Sequence, residues 1–242
     1  MRRVDLVKAS REGNLDKVKK ILSEGGEYKH NELDIALSYS FQNGDRAIVI
    51  ELLKFGANID RVVSKNYFEL YCSNIHNCKS DCDGLNILLY HYSKYGDIEL
   101  VELLIDSGVC INSSDKYNKT ALMYASENGH IEIVNLLLLS GAKINATDKY
   151  NKTALMYAIA NGHIEVFKFL IDSGADINIK NIYGTTALMY ASVYGYIDAT
   201  NLLVDSGADV NIKDIYGTTA SMYANVNGHK EIVDILKKVE VL

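Results

Sequence analysis

Cysteine and histidine are the side chains best suited to hold a zinc ion, and one stretch of this chain concentrates them. RVVSKNYFELYCSNIHNCKSDC, about residues 61–82, contains Cys72, His76, Cys78 and Cys82, three of the four cysteines and one of the six histidines. The spacing C-x3-H-x-C-x3-C lacks the close C-x2-C pair of common zinc folds. The expectation is therefore no metal, with these four residues as the candidate ligands if one binds. Two other readings stay open. The stretch could be an elongated loop with a short helix around VVSKNYFELY that docks Tyr67, Phe68 and Leu70, or a protrusion specific to a partner. Elsewhere the chain has no G-x-x-x-x-G-K-[ST], no H-E-x-x-H and no G-x-S-x-G. No catalytic residues and no cofactor are expected, so the chain does not read as an enzyme.

Other reactive types recur at a fixed interval, which calls for elements that repeat. DKYNKTALMYA stands at 115–125 and again, letter for letter, at 148–158. TALMYA returns at 186 and TASMYA at 219, and Gly129, Gly162, Gly195 and Gly228 each lie nine residues after the threonine. His130, His163, Tyr196 and His229 follow those glycines, then an apolar run such as IEIVNLLLLSG, then GAKIN, GADIN or GADVN. Thr120 can cap a first helix that faces Leu122 and Ala125 inward. Gly129 permits a tight link to a second helix, expected to bury Ile131, Val134, Leu137 and Leu138. Gly141 ends that helix, and a finger containing Asp148 to Asn151 follows. Small alanines on the first helix let neighbouring units approach closely, and no unit buries its faces alone. Stacked helices stand about 8–10 Å apart, so His130, His163 and His229 cannot share one metal and read as structural. Asp115, Asp148 and Asp214, with Asn181 in the same column, read as turn formers.

The period of about 33 residues, the turn glycines and the helix pair together resemble the ankyrin repeat. One departure is systematic: the family's proline is Ala121, Ala154, Ala187 and Ala220, and its histidine is Met123, Met156, Met189 and Met222. The hydrogen bonds that histidine makes in the family are then lost or replaced. Weaker copies lie upstream, at Gly96 with IELVELLIDSG, at Gly44 with Leu37 and LLKFG, and at Gly13 with Leu6, Ala9 and KILSEG. The resemblance implies an all-α solenoid of stacked helix-turn-helix units with short β-hairpin-like fingers. It would form one domain of about seven units: 2–30 as a charged N-terminal cap, 31–60, an insertion at 61–82, 83–115, 116–148, 149–181, 182–214, and 215–242 as a C-terminal cap. The insertion is visible as spacing, because Gly13 to Gly44 is 31 residues and Gly44 to Gly96 is 52.

Composition narrows the partners. The net charge is −6, and segments 1–60, 116–148 and 215–242 balance while 61–115 carries −4, 149–181 carries +1 and 182–214 carries −3. No segment is a basic stripe, which argues against nucleic-acid binding through phosphates. The opening MRRVDLVKASREGN has no apolar run behind its arginines, and no stretch approaches the 18 or so apolar residues that span a bilayer. A cytoplasmic monomer without membrane contact is expected, in its own cell or delivered into a host.

In a repeat array, function falls to residues that the repeat does not need. The resemblance implies a protein partner on the concave face made by fingers and the exposed edge of the first helix. One tyrosine per finger stands there: Tyr117, Tyr150, Tyr183 and Tyr216. Each could anchor a partner or pack on its neighbour. Beside them Lys116, Lys119, Lys149 and Lys152 give way to Ile182, Thr185, Ile215 and Thr218. Glu127, Val193 and Tyr194 are variable first-helix positions on the same side. The second tyrosine column, Tyr124, Tyr157, Tyr190 and Tyr223, is expected to pack between repeats. The candidate partner-binding residues are thus Lys116, Tyr117, Lys119, Glu127, Lys149, Tyr150, Lys152, Ile182, Tyr183, Val193, Tyr194, Ile215 and Tyr216. A protein-binding module is the leading reading. The alternatives are a structural spacer or assembly scaffold, and a metal-dependent activity in the insertion.

Overall fold

Each TALMYA starts a helix because its threonine caps one. Thr120 is extended, and its Oγ1 accepts the Met123 amide at 3.4 Å; Thr153, Thr186 and Thr219 do the same for Met156, Met189 and Met222. A threonine in this place satisfies one of the amides that a helix start leaves unpaired. The structure, a computed structural model, describes residues 3–24, 30–58 and 84–240. Among them stand fourteen helices: α1 Arg3–Arg11, α2 Leu15–Ser23, α3 His30–Asn43, α4 Arg46–Lys54, α5 Gly84–Tyr95, α6 Ile98–Asp106, α7 Ala121–Glu127, α8 Ile131–Leu139, α9 Ala154–Ala160, α10 Ile164–Asp172, α11 Ala187–Tyr194, α12 Ile197–Asp205, α13 Ala220–Val226 and α14 Lys230–Glu240. The fold is all-α. Extended pairing among the described residues is limited to one antiparallel bridge, Ser114 to Thr120. Cys72, His76, Cys78 and Cys82, with Tyr67, Phe68 and Leu70, lie outside the described residues.

The chain divides into two units, Met1–Leu89 with Glu99–Val109 and Tyr90–Ile98 with Cys110–Leu242. In the first, α1 packs on α2 and α3, and α4 packs on α2 and α3. Leu6, Ala9, Val18, Leu22, Leu37, Ile48 and Leu52 are buried there, while Asp5, Lys8, Arg11, Glu12, Lys19 and Lys20 are exposed. Asn14 caps α2 by accepting the Lys17 amide at 3.0 Å.

In the second unit, α7, α9, α11 and α13 stack in a row, each touching the next, and each packs on its own partner from α8, α10, α12 and α14, which also stack. The first helices bury Leu122, Ala125, Leu155, Ala158, Leu188 and Ala191. In α8 the buried stripe is Ile133, Val134 and Leu137, with Ile131 and Leu138 only half-buried. This corrects the expectation from sequence, which puts Ile131 and Leu138 inside and omits Ile133. Ile133, Val134 and Leu137 form the contiguous stripe of one face, and Ile131 and Leu138 flank it. An all-apolar run does not reveal its phase.

Gly129 serves two purposes. Its φ of +79° is costly for residues with a Cβ, and a Cβ there would stand 2.5 Å from the His163 ring. Gly96 and Gly195 meet His130 and His229 in the same way. The imidazole of one repeat therefore nests over the turn of the repeat before it. At the far end α13 changes character. Met123, Met156 and Met189 are no more than 2% exposed, whereas Met222 is 52% exposed. Ser221 and Asn225 stand where the preceding helices bury Leu188 and Ser192.

Leu155→Ala should lower the stability of the second unit by about 2–5 kcal/mol, as buried leucines do. Ser221→Ala should change it by less than about 0.5 kcal/mol. Urea denaturation of both variants checks the order, and the reverse order would contradict this assignment of inner and end repeats.

Candidate functional site

The fingers are built around one side chain each. In the first complete finger, the Asn118 amide donates to the Asp115 carbonyl at 2.9 Å and the Asp115 amide to the Lys119 carbonyl at 3.0 Å. Asn118 takes φ +60°, and Asn151, Gly184 and Gly217 take the same left-handed position at +57°, +76° and +77°. This is a three-residue hairpin loop closed by a left-handed residue, a place for Gly or Asn. The Asp115 carboxylate fixes it. Oδ1 accepts the Tyr117 and Lys119 amides, both at 2.8 Å, and Oδ2 accepts the Tyr124 hydroxyl at 2.8 Å. Asp148 binds Tyr150, Lys152 and Tyr157 likewise, and Asp214 binds Tyr216, Thr218 and Tyr223. Asn181 holds the Tyr183 and Thr185 amides on Oδ1 and donates from Nδ2 to the Tyr190 hydroxyl at 3.2 Å. The column forms turns, and it also ties each finger to its own first helix. With methionine at 123, 156, 189 and 222, that tie is made by the tyrosine that follows.

Successive fingers are then joined. The Lys149 amide donates to the Tyr117 carbonyl at 2.8 Å, Ile182 to Tyr150 at 2.9 Å, and Ile215 to Tyr183 at 3.0 Å. Gly184 lies so close to the next finger that a Cβ would stand 2.9 Å from Asp214 Cα, while Gly217 has nothing within 4 Å. The backbone of the row is set on both sides, within each repeat and between repeats.

Charges and rings interleave along it. Lys119 is buried, its ammonium bonded to the Glu127 carboxylate and lying 4.4 Å and 4.1 Å from the Tyr124 and Tyr157 ring centroids. Burial lowers its pKa, and Glu127 partly opposes that. Lys149 stands 3.7 Å from the Tyr117 centroid and 4.7 Å from that of Tyr150, and Lys152 stands 5.5 Å and 5.6 Å from those of Tyr157 and Tyr190. These are cation–π distances. Burial, then the bonds to Asp115 and Asp148, push Tyr124 and Tyr157 above the usual phenol range. The hydrogen bond to Asp214, then burial, pushes Tyr223 up to about 12. For Asp214 burial pushes the carboxyl up, but the bonds from Tyr223, Thr218 and Tyr216 outweigh it and leave it below the ordinary value.

The histidine column bridges repeats. His130, His163 and His229 place Nε2 2.9, 2.9 and 3.1 Å from the carbonyls of Lys94, Glu127 and Val193. Among the described residues no cluster of His, Cys, Asp or Glu is placed to hold a metal.

A family model described as ankyrin repeats (3 copies) matches residues 61–148, 145–214 and 183–241. The chain belongs to the ankyrin-repeat family. No curated protein matches it. Ankyrin repeats are generally protein–protein interaction modules and are typically non-catalytic. Among the described residues no helix of this ankyrin-repeat protein is long and apolar enough to cross a membrane.

The candidate contact residues fall into two groups. Lys116, Lys149, Tyr150, Ile182, Tyr183, Tyr194, Ile215 and Tyr216 are exposed. Tyr117, Glu127, Lys152 and Val193 are half-buried, and Lys119 is buried against Glu127, so this pair is turned inward. Val226 on α13, at the variable first-helix position equivalent to Val193, is exposed. The tie from finger to first helix is not among the expectations from sequence, although an Asp or Asn nine residues before a Tyr in each of the last four repeats is its signature.

Two outcomes test the fingers. Gly184→Ala should destabilise more than Gly217→Ala in thermal melts: both suffer the left-handed strain of about 1–2 kcal/mol, but only the first collides with the next finger. Equal losses would mean that fingers do not press on one another. The second test uses acid. A carboxylate whose pKa is lowered by folding stabilises the fold above the unfolded value of about 3.9, and that stability is lost as pH falls through the lowered folded value. Asp214→Asn, the residue already used at 181, should keep the turn and lose less stability between pH 5 and pH 2 than the natural chain. Identical acid curves in urea titrations would show that the Asp214 carboxylate contributes nothing.

Proposed function

We propose that the finger row of the second unit is the face on which this ankyrin-repeat protein binds a protein partner, acting as a cytoplasmic monomer without catalysis. The observation that carries the reading is a set backbone that presents large side chains to water. Tyr150, Tyr183 and Tyr216 are 41, 49 and 79% exposed, and Ile182 and Ile215 are 45 and 59% exposed. The Ile182 and Ile215 amides and the Tyr150 and Tyr183 carbonyls make the finger-to-finger bonds, and the Tyr216 amide is held by Asp214 within its own finger, yet the side chains of Ile182 and Ile215 have no part in those bonds. Tyrosines with few torsions on a rigid frame are suited to be contact anchors, because little ordering entropy is lost on binding. Tyr117 differs, since it is half-buried with Lys149 over its ring, and its role includes packing within the row.

Changing Tyr117, Tyr150, Tyr183 and Tyr216 together to Ser leaves the backbone bonds available, so the helical circular-dichroism signal should be largely intact. If two of these are anchors at about 2 kcal/mol each, binding weakens by about a thousandfold. The check is to capture partners from a lysate of the source organism with the natural chain, then to repeat the capture with the variant. Unchanged capture with a large fall in melting temperature would make the row structural and move the search to Glu127, Ala160, Val193 and Tyr194, or to the insertion at 61–82.

A further inference from the structure

The cations of this row are not equivalent. Lys119 is matched to Glu127 on its own first helix. One repeat later Lys152 occupies the same place, but the position of Glu127 is Ala160, and among the described residues Lys152 reaches no carboxylate. Neither does the exposed Lys149. Both instead stand over tyrosine rings, at 3.7 and 4.7 Å and at 5.5 and 5.6 Å. A ring face attracts a cation but carries no countercharge. The adjacent Asp148 is buried and accepts from two amides and a hydroxyl, and neither lysine's ammonium is bonded to it. In the next two repeats the positions of Lys149 and Lys152 become Ile182 and Thr185, then Ile215 and Thr218, and both isoleucines are exposed.

We propose that the occupant of the finger row is an extended acidic peptide segment that runs on into aliphatic residues, with its carboxylates at Lys149 and Lys152 and its apolar side chains at Ile182 and Ile215. This rests on the reading that the fingers bind protein, and it names the chemistry of that protein. The spacing follows from the stack. Repeats about 8–10 Å apart correspond to about three residues of extended chain, so the acids stand about three residues from the nearer aliphatic and about six from the farther. The net charge of −6 does not override this, because exposed charges more than about 8 Å away are largely screened at physiological salt. A nucleic acid fits less well, since binding through phosphates calls for several cations along the strand and two successive fingers offer isoleucine instead.

The test is selection from a random peptide library, about 12 residues long to span four fingers at about three residues each, against the full chain. Enriched peptides should carry Asp or Glu three to six residues from Ile, Leu, Val or Phe. A synthetic representative should lose affinity tenfold or more against Lys149→Glu with Lys152→Glu, and regain it when its own acids are replaced by lysine. Peptides that need the finger tyrosines but show no acid-to-aliphatic order, or that are indifferent to the charge reversal, overturn this inference alone. The same holds if single-stranded oligothymidine displaces tyrosine-dependent peptides. Peptides that bind equally to the fourfold tyrosine-to-serine variant overturn the finger-row reading itself. No enrichment over an unrelated helical protein overturns the inference, with the lysate capture deciding the reading beneath it.

Discussion

One Asp or Asn side chain with three hydrogen bonds, a carboxylate at 115, 148 and 214 and an amide at 181, is the constraint on which the second unit depends. Asp115 Oδ1 gathers two amides of its own turn and Oδ2 reaches the hydroxyl of Tyr124, nine residues on. The first two bonds close the loop, and the third sets the angle between that loop and its helix. An isolated hairpin is at best marginal in water, and this third bond adds a tie from the loop to its own helix. With it, the amide of residue 149 arrives where the carbonyl of Tyr117 can accept it, and the fingers form a row.

This division of labour explains where variation is allowed. Positions 149, 182 and 215 commit their amides to the neighbouring finger and leave their side chains outward, so lysine and isoleucine are equally compatible with the fold. Position 119 is different. Its lysine is enclosed by two tyrosine rings and Glu127, and an enclosed ammonium is stable only where a carboxylate offsets its lost hydration. Two lysines in adjoining fingers, at 119 and 149, thus have separate meanings, one internal and one available.

Much of the fold was legible in the sequence, because a regular period with Thr, Gly and apolar columns leaves little freedom for anything but paired helices. The turn role of the aspartates was legible too, from residue type and place. What was not legible depended on phase or on a third dimension. IEIVNLLLL is apolar on nearly every side, so only packing shows that Ile133 is inside and Ile131 at the edge. Lys119 and Lys152 look alike as letters, and they differ because residue 127 is Glu and residue 160 is Ala, eight residues away on another element. The conformational need at Gly129 was legible, but the ring of His163 lying against it was not.

The bonds that join one repeat to the next in the second unit have a common reach. Asn112 to Lys143 spans 31 residues, Tyr117 to Lys149 spans 32, and His130 to Lys94 spans 36. None of these ties needs anything beyond the adjoining copy. Duplicating or deleting one whole repeat within 116–214 would therefore bring equivalent donors and acceptors back into register, as the identical copies at 115–125 and 148–158 already do. Such a chain changes the length of its exposed row in whole steps, and it can acquire a new recognition surface by copying a repeat and then altering only the outward side chains.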